Sequence, residues 1–248
     1  MPTASELSTD YVGQVETEGF AVIPDVLDPT TISRLQQAVD ELGEREEVRR
    51  RGGAYGVRNL LEVLPAAAEI AADPRLRALV SPVLGERCFA VRGTLFDKIP
   101  GANWSLFWHQ DSIITVQECR EVAGFSKWAQ KAGVWHVEPP FAIFERMLTL
   151  RVHLDDCGPT NGPLRILSGS HRGGWLDHDL DEWKRTASEV TCTVPAGGVV
   201  VMRPLILHAS SAAQSPSHRR VLHIEYAVDD LPGNLEWNTR IPPRAAAT

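Results

Sequence analysis

Cys88-Phe89-Ala90-Val91-Arg92-Gly93-Thr94-Leu95-Phe96 is the stretch at which the chain changes its hydrophobic period. Upstream of it, apolar residues recur at helical spacing. Asp28-Pro29 reads as a cap with proline in the first turn, and Ile32, Leu35, Val39 and Leu42 then form one stripe that stops at Gly43. Asp73-Pro74 repeats the signal ahead of Leu76, Leu79, Val80 and Val83, with Gly85 as the stop. A short helix over residues 8–18 ends at Gly19, and Phe20-Ala21-Val22-Ile23 is the one early strand. From Cys88 onward the pattern is short strands punctuated by glycine and proline, at 88–96, 148–154, 163–167, 190–194, 198–202 and 220–228. Helices segregated at the front and strands behind them predict a mainly β fold with flanking helices, rather than alternating βα units. The expected architecture is a cupin-like double-stranded β-helix, or jelly roll, with an N-terminal helical scaffold.

Two segments fall outside this scheme. Residues 44–51 are a dense charge run before Gly52-Gly53, read either as an entrance loop that turns Tyr55, Arg58 and Asn59 toward a site or as a solvated helix end. Residues 112–147 form a long excursion with its own aromatics. Phe125, Trp128, Trp135 and Phe141 are candidates to cover a ligand, with His136 and Lys131 as its polar contacts, and the excursion as a whole is expected to be a lid. The chain then reads as one domain over 1–248, with a scaffold to about residue 87, a jelly-roll core over about 88–228 and the lid inserted into it. The tail from Pro242 is expected to be loose.

The composition, 43% hydrophobic and 23% charged, is that of a soluble globular protein. A formal charge of −7 argues against a nucleic-acid or anionic-membrane surface and leaves a small molecule as the expected partner. Met1-Pro2-Thr3-Ala4-Ser5-Glu6 lacks a basic start and apolar run, and no later stretch approaches a membrane span, so a cytoplasmic location is expected. Cys88, Cys119, Cys157 and Cys192 lie far apart with no C-x-x-C pair, which predicts buried reduced thiols.

Chemistry is suggested by histidines two positions from a carboxylate, since side chains two apart leave the same face of an extended segment. There are four such triplets, His109/Asp111, His136/Glu138, His153/Asp155 and His223/Glu225, where 8 His and 32 acidic residues in 248 positions give about one by chance (8 × 32/248). His223/Glu225 lies in the last long strand, with none after it to supply another ligand. His136/Glu138 sits before Pro139-Pro140 in the excursion. His153/Asp155 ends a strand and remains a competitor, although Asp155 and Asp156 also suit a turn whose carboxylates cap backbone N–H groups. His109/Asp111, in Phe107-Trp108-His109-Gln110-Asp111-Ser112, follows an aromatic segment and precedes the excursion, where an open site needs its access route.

A further ligand is expected at the end of a late strand, and His208 stands there. His171 and His178 lie in loops and suit hydrogen-bonding or surface roles. Arg219, 11 positions later (219 − 208), tips the choice toward His109/Asp111. A hairpin return brings its guanidinium beside the metal, where it can grip a carboxylate bidentately, as a chelating 2-oxo acid requires. Arg220 points to the opposite face of the same strand. Two histidines and one carboxylate on one face are the ligand set of non-haem Fe(II) oxygenases.

Taken together, Trp108-His109-Gln110-Asp111, the run from Leu154 to Leu164, Gly169-Ser170-His171, and His208 with Arg219 resemble the phytanoyl-CoA dioxygenase family of Fe(II)/2-oxoglutarate oxygenases, over about Gly19 to Tyr226. The resemblance implies iron held by His109, Asp111 and His208, with Arg219 on the far carboxylate of 2-oxoglutarate and Ser210 as its hydroxyl helper. It also implies that Thr94, Gln110 and Arg151 line the cosubstrate pocket, although family members often carry an aromatic or apolar residue in place of Arg151. The implied reaction consumes Fe(II)-bound 2-oxoglutarate and O2, releases succinate and CO2, and hydroxylates an unactivated C–H bond of a small organic molecule. Halogenases of this general class replace the ligand carboxylate with a small residue, so Asp111 points to hydroxylation, or to desaturation or cyclisation by the same oxidant. The alternatives are a metal-dependent hydrolase or cupin-like enzyme, in which the same ligands hold zinc and activate water, and a catalytically silent jelly roll that binds a ligand.

Overall fold

A computed structural model describes residues 4–51, 53–175 and 180–244, the side chains of residues 4–10 excepted. Gly52, His178 and the last four residues of the tail lie outside the described residues. The chain opens with α1 (Ala4–Thr17), β1 (Phe20–Ile23), α2 (Pro29–Asp40), β2 (Val48–Arg50), β3 (Ala54–Val57), α3 (Leu60–Val63), α4 (Pro65–Ala71) and α5 (Pro74–Leu84). It continues through β4 (Phe89–Phe96), β5 (Leu106–His109), β6 (Ile114–Val116), β7 (Ser126–Lys131), β8 (Val134–Glu138), α6 (Phe141–Glu145) and β9 (Met147–His153). The last part carries β10 (Leu164–Leu167), α7 (Leu180–Thr186), β11 (Glu189–Cys192), β12 (Val199–Met202), β13 (His208–Ser210) and β14 (Val221–Ala227).

The strands form a seven-stranded sheet, β1-β12-β9-β14-β4-β3-β2, and a four-stranded sheet, β11-β10-β13-β5, which face each other as an open jelly roll. The fold is mainly β with flanking helices, as the change of period at Cys88 implied. Both predicted caps are present. Asp28 Oδ1 accepts from Thr31 N at 2.9 Å, Asp73 Oδ1 accepts from Arg75 N at 2.9 Å, and proline fills the first turn of each helix.

The two faces of the large sheet differ in chemistry because residues alternate along a strand. Leu148, Leu150 and Val152 of β9 and Leu222, Ile224 and Tyr226 of β14 point outward and join Ile32, Leu35, Leu76 and Val80 of the helices in one core. Each such side chain, fully buried, contributes about 1.5–3 kcal/mol. The intervening residues Thr149, Arg151, His153, His223 and Glu225 point inward and are also buried. In register, Arg151 faces His223, which faces Thr94, and Thr149 faces Glu225, which faces Arg92.

The charge run is not a helix end: residues 44–47 are bend and turn, and the rest leads into a strand. Residues 48–50 and 54–57 make the hairpin β2–β3, which extends the large sheet beyond β4. The excursion, expected to be a lid of loop character, carries a third sheet, β6-β8-β7. Phe125, with Trp128, Trp135 and Phe141 packed around it, belongs to a second hydrophobic core that includes Phe89, Ile114 and Trp237. Three of the four cysteines are buried; Cys119 is exposed.

Candidate metal centre

His109 and His208 are cross-strand partners. The β5–β13 register sets them opposite each other, and their ring centroids lie 4.2 Å apart. Asp111 follows two residues after His109, its backbone held by Asp111 N donating to Pro204 O at 3.0 Å. One ligand atom from each of the three lies within 4.8 Å of the others, and His208 Nε2 is 3.9 Å from Asp111 Oδ1. This is the set of residues chosen on spacing and strand order.

Both histidines are oriented for the task. His109 Nδ1 lies 2.8 Å from Phe107 O and His208 Nδ1 lies 2.9 Å from Ile206 O. A carbonyl only accepts, so each Nδ1 carries the proton and each Nε2 is left as a lone-pair donor. Burial pushes the His208 imidazole down to about 3 and keeps it neutral. Burial raises the Asp111 carboxyl, but His208, His223 and His109 around it outweigh this and hold it below the ordinary value. Asp111 Oδ2 has no hydrogen-bond partner among the described residues although it is buried. Two imidazoles that turn Nε2 toward a shared carboxylate, one oxygen of which is buried and unpaired, fit a divalent transition metal.

Beyond these ligands the interior is cationic. Arg219 is 3% exposed and Arg151 6%, and the Nε of each lacks a partner, as do both ring nitrogens of His153. Arg219 Nη1 donates to Gly162 O. Asp97 sets its backbone, accepting from Arg219 N at 2.8 Å. Lys98 is fully buried beside it, its Nζ donating to Ser210 Oγ at 3.1 Å and to Ser211 O. Gly162, at φ +62°, makes room: a Cβ there would lie 2.8 Å from Lys98 Nζ. Burial and Arg219 together push the Lys98 ammonium down to about 7. Burial, then Arg219, brings Arg151 down to about 10. Buried cations with unpaired N–H groups are costly unless an anion neutralises them, so the chamber suits a carboxylate ligand.

The other expected residues are placed as follows. Ser210 joins the cationic group through Lys98, and Thr94 borders a cavity of about 430 Å³ between β4 and the β7–β8 hairpin. Gln110 turns elsewhere, its amide donating to Gly174 O at 2.8 Å and Leu205 O at 2.6 Å. Arg151 Nη1 donates to His223 Nδ1 at 3.0 Å, which leaves the His223 proton on Nε2, 3.3 Å from Glu225 Oε1 and 3.7 Å from Asp111 Oδ2. Asp155, the rival ligand, instead accepts from Arg220 Nη2 at 2.8 Å, and Asp156 accepts from Ala196 N at 2.8 Å, the capping role its turn suggested. Tyr55, Arg58 and His136 border the cavity; Asn59 does not, and donates to Ala132 O at 3.2 Å. Phe125, Trp128, Trp135 and Phe141 do not border it either, because their rings pack in the second core.

Spacing did not reveal Lys98 or Arg92, and the spacing that picked out His223 and Glu225 tested them only as metal ligands, not as a pair whose His223 lies beside Asp111. Their signal was a charge set among apolar residues, as in Phe96-Asp97-Lys98-Ile99 and Leu222-His223-Ile224-Glu225-Tyr226, where a strand must turn that charge inward. Among the described residues no helix is long and apolar enough to cross a membrane.

The model of the family described as phytanoyl-CoA dioxygenase matches residues 15–221. An ectoine dioxygenase from Bordetella bronchiseptica is 26% identical over 97% of this chain and 80% of its own length. An L-proline trans-4-hydroxylase from Streptomyces griseoviridis is 25% identical over 84% of this chain and 82% of its own. The crystal structure of EctD from S. alaskensis with bound Fe superposes with a TM-score of 0.72 at 18% identity, covering 95% of this chain and 86% of the other, a likeness of fold.

Proposed function

This chain belongs to the phytanoyl-CoA dioxygenase family, and we propose on that premise that it hydroxylates an unactivated C–H bond of a small organic molecule as a non-haem Fe(II)/2-oxoglutarate-dependent dioxygenase. The observation that carries the reading is the cross-strand pair His109 and His208, each with its Nε2 free, beside Asp111 and next to a buried cationic chamber. Zinc hydrolysis would use the three ligands but leave the chamber without a purpose.

Fe(II) bound there supplies the oxidative chemistry, in which O2 and 2-oxoglutarate are consumed together and succinate and CO2 are released as the substrate is oxidised. The chain's own residues bind and orient. His109, Asp111 and His208 are the residues that would hold the ion, through Nε2 of each imidazole and the carboxylate. Carbonyls of Phe107 and Ile206 fix the two rings, and Pro204 O fixes the backbone of Asp111. Arg219, with Lys98 and Ser210 beside it, receives the far carboxylate of 2-oxoglutarate, where an unpaired Nε–H becomes satisfied. Arg151 holds His223 with its Nε2–H toward Asp111 and so contributes to the carboxylate's field rather than to direct cosubstrate contact. Asp111 keeps the carboxylate in place, consistent with hydroxylation rather than halogenation.

Anaerobic melting of metal-free protein tests this. Fe(II) with 2-oxoglutarate should raise the melting temperature more than either alone, and Asp111→Ala should lose the iron-dependent part. An unchanged curve with both ligands overturns the dioxygenase reading. Succinate release in a screen of small metabolites, beginning with the ectoine and L-proline named for the relatives, then identifies the substrate.

A further inference from the structure

The cavity of about 430 Å³ is lined by one kind of charge. Arg49, Arg58, Arg92 and Lys131 border it and, among the described residues, no acidic side chain does. This is unexpected in a chain whose formal charge is −7. Arg92 is already engaged, donating to Glu225 Oε1 at 3.0 Å and Ile113 O at 2.9 Å. Arg49, Arg58 and Lys131 have no side-chain hydrogen bond or ion pair among the described residues. They come from three separate elements: β2, the residue after β3 and the end of β7. Asn59 ties two of these together by donating to Ala132 O in the turn that follows Lys131. The mouth is therefore built from the charged hairpin and the excursion jointly.

The rest of the lining is largely apolar. Tyr55 and Trp104, their ring centroids 5.6 Å apart, share it with Phe96 and Leu106. One neutral acceptor faces the space: His136 Nδ1 lies 3.1 Å from Val134 O and so carries the proton, leaving Nε2 bare. Thr94 and Arg92, which also line it, are the cross-strand partners of His223 and Glu225, and His223 Nε2 lies 3.7 Å from Asp111 Oδ2. A few polar groups converging on an apolar space of this size is the form of a small-molecule site.

We propose that the substrate of this site is an anionic small molecule with an apolar body. Its carboxylate or phosphate binds at Arg49, Arg58 and Lys131, its body lies against Tyr55, Trp104, Phe96 and Leu106, and a hydroxyl or N–H of the ligand donates to His136. The proposal rests on the dioxygenase reading for the fate of the ligand, not for its binding.

The test is a ligand-observed NMR titration of metal-free wild-type protein with 3-phenylpropanoate, 3-phenylpropyl phosphate and 3-phenylpropanamide, probes that share a body and differ in charge. At least one anion should bind about tenfold more tightly than the amide, and which anion binds better tells carboxylate from phosphate. Arg58→Gln with Lys131→Gln should remove that preference without moving amide affinity, Arg58→Lys should keep most of it, and 0.5 M salt should weaken it. Equal binding of the three probes, no binding by either anion, or a preference abolished by Arg219→Ala and indifferent to Arg58→Gln with Lys131→Gln overturns the proposal. The titration needs no metal. A failed melting shift with iron and 2-oxoglutarate therefore counts against the dioxygenase reading alone, and a failed titration against this proposal alone.

Discussion

The outer and inner faces of the seven-stranded sheet come from the same strands and are equally buried, yet they obey opposite rules. On the outside, Leu150 and Val152 of β9 and Leu222 and Ile224 of β14 meet helices, and the contact between them is almost wholly apolar, Arg77 over the Tyr226 ring being the exception. On the inside, Arg151, His153 and Arg219 hold polar atoms that have no partner among the described residues. One face stabilises the fold, and the other sets aside stability to make a place for a charged ligand and a metal. Arg219 and Arg220 are adjacent in sequence and show the contrast at the scale of one residue. Arg220 turns out to Asp155 and Asp40, and Arg219 turns into the chamber.

The contrast can be broken most forcefully from the outside. Leu150→Ala should cost about 2–5 kcal/mol of stability in chemical denaturation while leaving the affinity of the remaining folded protein for 2-oxoglutarate unchanged. Arg219→Ala should do the reverse. Cosubstrate affinity measured by calorimetry should fall by roughly 2–5 kcal/mol, whereas the ligand-free protein should melt at the same temperature or higher because a buried unpaired cation is gone. Arg220→Ala should lower stability by about 1–3 kcal/mol and spare cosubstrate binding; if instead it weakens 2-oxoglutarate more than Arg219→Ala does, the carboxylate site belongs to Arg220.

The inner face should also answer to pH, which the apolar outer face should not. Lys98 titrates near 7 in the native protein against an ordinary value of 10.5. Between those values the unfolded chain holds the extra proton, so ligand-free stability should rise with pH across that window. Over the same window 2-oxoglutarate affinity should fall, because the ammonium that attracts the carboxylate is lost. Lys98→Met should flatten both profiles; profiles that keep their slopes would remove Lys98 from the cosubstrate site.

The scaffold and core were legible because their signals are local. A cap at Asp28 or Asp73, the stripe Ile32-Leu35-Val39 and the alternation in β9 and β14 each occupy a few consecutive residues. The hairpin β2–β3 was hidden because Glu44 to Arg51 lacks apolar alternation, and its pairing partner β4 lies more than thirty residues on. The excursion misled for another reason. Exposed-looking aromatics in a long connection suggest a ligand cover, but Phe125 and its neighbours found an apolar surface on Phe89, Ile114 and Trp237, which only the folded chain places beneath them.

By itself the sequence determined the capped helices, the apolar strands of the core and the order in which His109, Asp111, His208 and Arg219 arrive, since each is carried by a local period or by position along the chain. Only the tertiary structure decided that His109 and His208 share a register, that Lys98 lies beside Arg219, and that Arg58 and Lys131 meet at one mouth. Those are contacts between residues tens of positions apart, and the chain acquires them only when two sheets and a hairpin pack together.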